Sequence, residues 1–152
     1  SRQFDTRVTW NEVREIRDRW DGKVIIKGIM DPEDAISAIN IGANAIVVSN
    51  HGGRQLDGTT STVKALPKIL ETVGGKCEVW MDGGIRTGQD ILKVIALGAN
   101  GTLIGRAFAF GLGANGQSGV LNTLNILQKE LDMTMALCGK SNLSEVDKSI
   151  LL

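Results

Sequence analysis

Asp34-Ala35-Ile36-Ser37-Ala38-Ile39-Asn40-Ile41-Gly42-Ala43-Asn44 returns 56 residues later as Asp90-Ile91-Leu92-Lys93-Val94-Ile95-Ala96-Leu97-Gly98-Ala99-Asn100. Both copies space apolar residues at helical intervals and then stop at Gly-Ala-Asn, the pattern of an amphipathic helix ended by glycine. Each copy follows an apolar run and a loop, and each precedes another apolar run. The chain therefore holds two βαβ units of one design, joined by a further helix. Copies of such a unit, each with a right-handed crossover, lay their strands parallel. A doubly wound sheet does this too, but repetition without a change of direction favours a (β/α) barrel. Four strands are half of the eight such a barrel needs. The expected fold is α/β: half of a (β/α)8 TIM barrel, about four parallel strands each followed by a helix, with residues 1–152 as one domain.

Outward from the repeat, residues 23–27, 45–49, 78–81 and 102–104 read as the strands. Val24-Ile25-Ile26 and Ile46-Val47-Val48 are continuously apolar, as buried parallel strands are. The helices carry start signals. Thr9 and Glu12 form a capping box ahead of Val13, Ile16 and Trp20. Asp31 is an N-cap with Pro32 at the first helical position. Ser61 opens a helix with Leu66, Ile69, Leu70 and Val73 on one face, stopped by Gly74 and Gly75. Thr87 opens another, with Ile91, Leu92, Val94 and Ile95 inside. A final helix over residues 117–138 spaces Leu121, Leu124, Leu127, Leu131 and Met135 along one stripe, which reads as core packing. The 19 glycines recur just after strands and helices, as punctuation of an alternating β/α chain.

The composition excludes several classes. With 17 basic and 17 acidic residues the formal charge is zero, which gives no electrostatic case for nucleic acid or an anionic membrane. No apolar run reaches the roughly 18 residues of a membrane span. The start, Ser1-Arg2-Gln3-Phe4-Asp5, lacks the apolar core of a signal peptide and an initiator Met, so a piece of a longer chain is expected. Cys77 and Cys138 have no metal-ligand spacing and make no disulfide framework; no metal is expected, and two reduced cysteines in a cytoplasmic protein fit best.

Function in such barrels gathers at the C-terminal ends of the strands. Those ends hold Lys27, then Ser49-Asn50-His51-Gly52-Gly53-Arg54-Gln55-Leu56-Asp57, then Asp82-Gly83-Gly84-Ile85-Arg86, then Gly105-Arg106. Nearly every unusual polar residue sits at one of these four places. The last two loops, with their glycines, Arg86, Arg106 and the helix opening at Thr87, suit a phosphate; the plainer reading is tight strand-to-helix turns. His51, the sole histidine, follows a buried strand in a loop that two glycines open to a ligand. An imidazole takes a proton near neutral pH, and the Arg54 guanidinium grips a carboxylate with two parallel bonds. A structural histidine and a surface ion pair of Arg54 with Asp57 are the alternatives. Lys27 ends an apolar strand, so its ammonium is either ion-paired in the barrel mouth or set against a cofactor atom that gains negative charge.

Residues 49–57 closely resemble the active-site signature of the FMN-dependent 2-hydroxy-acid oxidases and dehydrogenases. Lys27-Gly28, Asp82-Gly83-Gly84-Ile85-Arg86, Leu103-Ile104-Gly105-Arg106 and Leu131-Asp132-Met133-Thr134-Met135-Ala136-Leu137 match that family in order and spacing, and the likeness runs from Val8 onward. Trp20-Asp21-Gly22-Lys23 through Met30-Asp31-Pro32-Glu33-Asp34-Ala35 is most similar to its bacterial respiratory L-lactate dehydrogenases.

The resemblance implies the C-terminal half of the barrel and oxidation of an (S)-2-hydroxy acid, L-lactate foremost, to the 2-keto acid, with FMN taking two electrons. It implies His51 as base, Arg54 on the substrate carboxylate, and Lys27 at the flavin N1–C2=O edge. Ser49 would hydrogen-bond the flavin, and Asp82, Gly83, Gly84, Ile85, Arg86, Gly105 and Arg106 would hold the ribityl and phosphate groups. The final electron acceptor would be oxygen, a quinone or a cytochrome. The intact protein is expected to be a homo-oligomer, cytoplasmic or membrane-associated through its first half. The family also uses tyrosines and an aspartate from that first half, whereas this chain has no tyrosine; these 152 residues alone are expected to be inactive. Two other readings stand: a different FMN- or phosphate-binding barrel enzyme acting on an isoprenoid or nucleotide, and a non-catalytic half-barrel that dimerises to cover its edges.

Overall fold

The structure is a computed structural model and describes residues 7–151. Residues 1–5, where the sequence lacks the apolar core of a signal peptide, lie outside the described residues. Four strands, β1 (Ile25–Ile29), β2 (Ala45–Val48), β3 (Glu78–Met81) and β4 (Gly101–Thr102), form one sheet in chain order, every pair parallel. Between and around them lie α1 (Trp10–Arg19), α2 (Pro32–Asn40), α3 (Thr62–Val73), α4 (Gly88–Leu97) and α5 (Arg106–Leu137). Neighbouring helices pack in sequence, α2 on α3, α3 on α4 and α4 on α5. The order never reverses, so the helices from α2 onward line one face of the sheet instead of splitting between two, as repeated right-handed crossovers require.

The repeat is physical as well as textual. Gly42 N–H donates to Ile39 O and Gly98 N–H to Ile95 O; Ala43 N–H donates to Ala38 O and Ala99 N–H to Val94 O. Asn44 Oδ1 then accepts from Val24 N–H at 2.8 Å, and Asn100 Oδ1 accepts from Val79 N–H at 2.8 Å. In each copy the asparagine closes the helix-to-strand turn and fixes the start of the neighbouring strand.

Strand alternation sorts the side chains. Ile46, Val48, Val79 and Met81, all nearly inaccessible, face the helices and meet Ala35, Ala38, Leu66, Ile69, Val73 and Val94 in one core. Burying each larger one contributes roughly 1.5–3 kcal/mol. Register places Ile25 and Lys27 on the opposite face with Ala45, Val47, Glu78 and Trp80. On that face Ile25 is 56% exposed, whereas Ala45 and Val47 are buried. This face is the side that would look into a closed barrel.

Several expectations shift. The first strand begins two residues later than read and ends at Ile29, because Gly28 is a bulge: Lys27 pairs with Val47 and Ile29 with Val48. The fourth strand is only Gly101–Thr102. The last helix starts at Arg106, with a break at Asn115 and Gly116 that separates an early arm from the one expected at residue 117. Of its stripe, Leu127 and Met135 are buried and Leu131 is half-buried, but Leu121 and Leu124 are 59% and 46% exposed, so the core reading holds only for the last part. Helix α1 buries none of its residues, and Ile16 and Trp20 stay largely exposed.

Candidate functional site

The four strand ends converge. A cavity of about 400 Å³ is lined by Lys27, His51, Arg54, Asp82, Arg86 and Arg106, together with backbone of the glycine loops, Leu103, Ile104, Phe108 and Ala109. Four of its side chains carry fixed positive charge against one carboxylate, so an anionic ligand is favoured there.

Lys27, Ser49 and Asp82 belong together because each ends on the same face of its strand. Lys27 Nζ lies 2.8 Å from Asp82 Oδ2 and donates to Ser49 Oγ at 2.9 Å. Ser49, 1% exposed, also accepts from His51 N–H at 3.1 Å, so one hydroxyl ties the lysine to the start of the histidine loop. Asp82 Oδ1 is buried and has no hydrogen-bond partner. A carboxylate oxygen out of contact with water and without a donor is costly, and a ligand hydroxyl is the kind of group that satisfies it.

The loop after β2 is held open by its own backbone. Asn50 Oδ1 accepts from Gly52 N–H at 3.0 Å, and Asn50 O accepts from Gly53 N–H at 3.0 Å. His51, Gly52 and Gly53 all take positive φ, 55°, 69° and 73°. Glycine does so freely, but histidine does so at a cost of roughly 1–2 kcal/mol. His51 is the one non-glycine with positive φ among the described residues, and such outliers concentrate at functional sites. Its side chain is exposed toward the cavity, as is Arg54, which makes no ion pair with Asp57 among the described residues; the Asp57 carboxylate accepts instead from Gly58 N–H. The surface-pair alternative for Arg54 is therefore not what the structure contains.

The glycines after β3 do different jobs. A Cβ on Gly83 would stand 3.1 Å from Thr62 Oγ1 and 3.3 Å from Asn50 Oδ1, whereas one on Gly84 would meet nothing. Gly83 thus lets three loops close together, with Thr62 Oγ1 donating to its carbonyl at 3.3 Å, and Gly84 leaves room for a ligand. Ile85 turns its side chain into the core, so only its main chain is free for a ligand.

One expectation about the anion site needs correction. The α4 N-terminus is already capped: Asp90 accepts from Arg86 N–H and Thr87 N–H, and Glu130 of α5 accepts from Gly88 N–H at 2.8 Å. Burial works to raise the Asp90 pKa, but these hydrogen bonds, with help from the Thr87 hydroxyl and Lys93, outweigh it and hold the carboxyl below its ordinary value. Helix α5 is the available terminus. Gly105 brings no capping side chain, and a Cβ there would meet nothing. Arg106 opens that helix and places a guanidinium nitrogen 3.5 Å from where a Gly52 Cβ would be. Free N–H groups at a helix start beside Arg86 and Arg106 make an anion site.

Residue-by-residue reading missed Asn50 and Thr62, which shape the loops, and Glu130, which caps α4 from 42 positions away. The Ser-Asn pair ahead of His51 was a legible signal, since asparagine caps turns; nothing local marked Glu130. Among the described residues no group of acidic, histidine or cysteine side chains could hold a metal, and no helix is long and apolar enough to cross a membrane.

Comparison with known proteins gives this geometry a family. An L-lactate dehydrogenase of Caulobacter sp. (strain K31) is 51% identical over 148 residues, covering 97% of this chain and 39% of that protein. One of Pseudomonas syringae pv. syringae (strain B728a) is 50% identical over 149 residues, covering 98% and 39%. The solved structure of mandelate oxidase with benzoyl-formic acid superposes with a TM-score of 0.88 at 45% identity, over 91% of this chain and 42% of that one. Another mandelate oxidase structure holds a monooxide FMN adduct. The chain spans 39% of the length of these curated relatives, so the four βα units are part of a barrel. The FMN-dependent dehydrogenase profile matches residues 1–152, and the chain belongs to that family.

Proposed function

We propose that this chain supplies the base, the carboxylate clamp and most of the flavin site of an enzyme that oxidises an (S)-2-hydroxy acid, L-lactate in particular, to the 2-keto acid. The observation that carries the reading is the meeting of His51, Arg54 and the Lys27–Asp82 pair in one cationic cavity beside an anion-binding helix start. The L-lactate dehydrogenases at about half identity support the choice of substrate.

FMN fits the residues present. The orphaned Asp82 Oδ1 suits a ribityl hydroxyl, the open Gly84 and Gly105 leave space for the chain, and Arg86, Arg106 and the α5 amides suit the phosphate. Gly83 and Ile85 contribute through the backbone. When bound, FMN supplies the two-electron acceptor.

Arg54 holds the substrate carboxylate with its planar fork and so fixes the carbon to be oxidised. His51, whose imidazole lines the cavity, takes the proton released as the carbonyl forms. Lys27, steadied by Ser49 and Asp82, puts a positive charge where negative charge develops. Ser49 accepts from Lys27 and His51 and keeps its own O–H for a flavin acceptor. Tyrosines and the aspartate that would pair with His51 come from a first half of the barrel, so these residues alone do not turn over. Oxygen, a quinone or a cytochrome takes the electrons onward, and the complete enzyme is a homo-oligomer.

The test is anaerobic mixing of the complete, FMN-loaded protein with L-lactate. Bleaching of the flavin absorbance by L-lactate and not D-lactate is expected. Bleaching only by a substrate without a 2-hydroxy acid group, or by none, removes this reading.

A further inference from the structure

We infer that Gly28 is a positioning residue for His51: the bulge it forms in β1, and its lack of a side chain, create the seat in which the imidazole rests. This rests on the reading of His51 as the base and adds to it what holds the ring in place.

Three observations converge on Gly28. It is the extra residue where register slips between Lys27 and Ile29, so its Cα leaves the regular pleat. Its φ is 104°, a backbone conformation open to glycine and strained for any L side chain. A Cβ built there would lie 3.0 Å from His51 Cε1, 3.8 Å from Nε2 and 3.9 Å from Nδ1. The missing methyl group therefore points at the ring carbon between the two nitrogens.

The backbone that carries the ring is held as well. His51 N–H is fixed to Ser49 Oγ, and the next two amides are fixed to Asn50. The backbone of His51 is thus set from one side while Gly28 bounds the ring from the other. The same bulge also sends Lys27 to the cavity face and Ile29 to the core. One glycine sets both the lysine and the histidine of the site.

Gly28→Ala in the complete, FMN-loaded enzyme tests this, with Gly42→Ala as control. Gly42 has φ of 80°, and its added Cβ would meet only Arg17 Nε at 3.7 Å, so it shares the backbone strain without touching the ring. Gly28→Ala should slow flavin reduction at saturating L-lactate by about tenfold, because the ring must give by a few tenths of an ångström and a misplacement of about 1 Å can cost about a hundredfold. The half-saturating L-lactate concentration should stay within a few-fold, because Arg54 holds the carboxylate. Gly42→Ala should leave both quantities unchanged. Melting temperatures give a second readout: Gly28→Ala should lower the melting point less in a His51→Ala background than in the parent, because the ring it strikes is gone. Unchanged reduction by Gly28→Ala overturns the inference. So does an equal lowering of the melting point in both backgrounds, or failure to fold in both, since backbone strain then explains everything. If the parent enzyme is not reduced by L-lactate, the proposed function fails, and the melting comparison still decides the contact.

Discussion

Lys27→Met tests the charge arrangement at the centre of the cavity. The ammonium lies 2.8 Å from Asp82 Oδ2, and the two side chains are 41% and 17% exposed. At an effective dielectric near 20 the gross attraction is about 6 kcal/mol, most of it offset by the desolvation of both charges. Exposed pairs net about 0–1 kcal/mol, and loss of one partner from a fully buried pair costs about 3–5 kcal/mol. This pair is intermediate. Removing Lys27 also takes the Asp82 carboxylate from one oxygen without a partner to two. We expect Lys27→Met to cost about 2 kcal/mol, read from the urea midpoint of the FMN-free protein with the slope unchanged. Asp82→Asn in the Lys27→Met background should recover more than half of that loss, because the stranded charge is removed. If Lys27→Met is neutral, or if the two substitutions simply add, the pair does not hold the strand ends together and the electrostatic account of the site is wrong.

Arg54→Lys should keep FMN and lower kcat/KM for L-lactate by about ten- to a hundredfold, the loss of one charge-assisted hydrogen bond of about 1.5–3 kcal/mol; unchanged steady-state kinetics would place the carboxylate clamp elsewhere. Asp90 has a folded pKa below its unfolded value, so its contribution to stability is present above the unfolded carboxylate range and is lost as pH falls through the folded pKa. Asp90→Ala should therefore cost stability at pH 7 and progressively less toward pH 2–3, which urea melts across pH would follow. Burial, and then the neighbouring Glu78, push the Cys77 thiol up, whereas Cys138 is exposed. Iodoacetamide at pH 8 should label Cys138 well before Cys77, as peptide mass mapping would reveal.

Much of this was legible because the same physics acts locally in both places. The Gly-Ala-Asn ends of the repeat and the caps at Asp31, Ser61 and Thr87 are short-range signals, and each marks a helix boundary in the structure. The site was legible as polar residues stranded after apolar runs. What stayed hidden depends on distant partners. The bulge at Gly28 is a matter of register with β2, not of composition. The α4 start looked like an anion site until Glu130 reached it from α5. The early arm of α5 exposes Phe110 and Leu112 at 76% and 53%, so it offered no amphipathic pattern to read. Leu121 and Leu124 looked like core because helical spacing records an apolar face without saying what covers it.

The most direct test of the central claim is a single-turnover measurement on His51→Gln in the complete, FMN-loaded enzyme. Glutamine keeps hydrogen-bonding capacity but accepts no proton near neutral pH, and the proposed phosphate anchors lie on other loops. The account predicts near-stoichiometric flavin, L-lactate still bound through Arg54, and anaerobic flavin reduction slowed by about 10²- to 10⁴-fold. Reduction at close to the parent rate with flavin in place would contradict it and take His51 out of the chemistry.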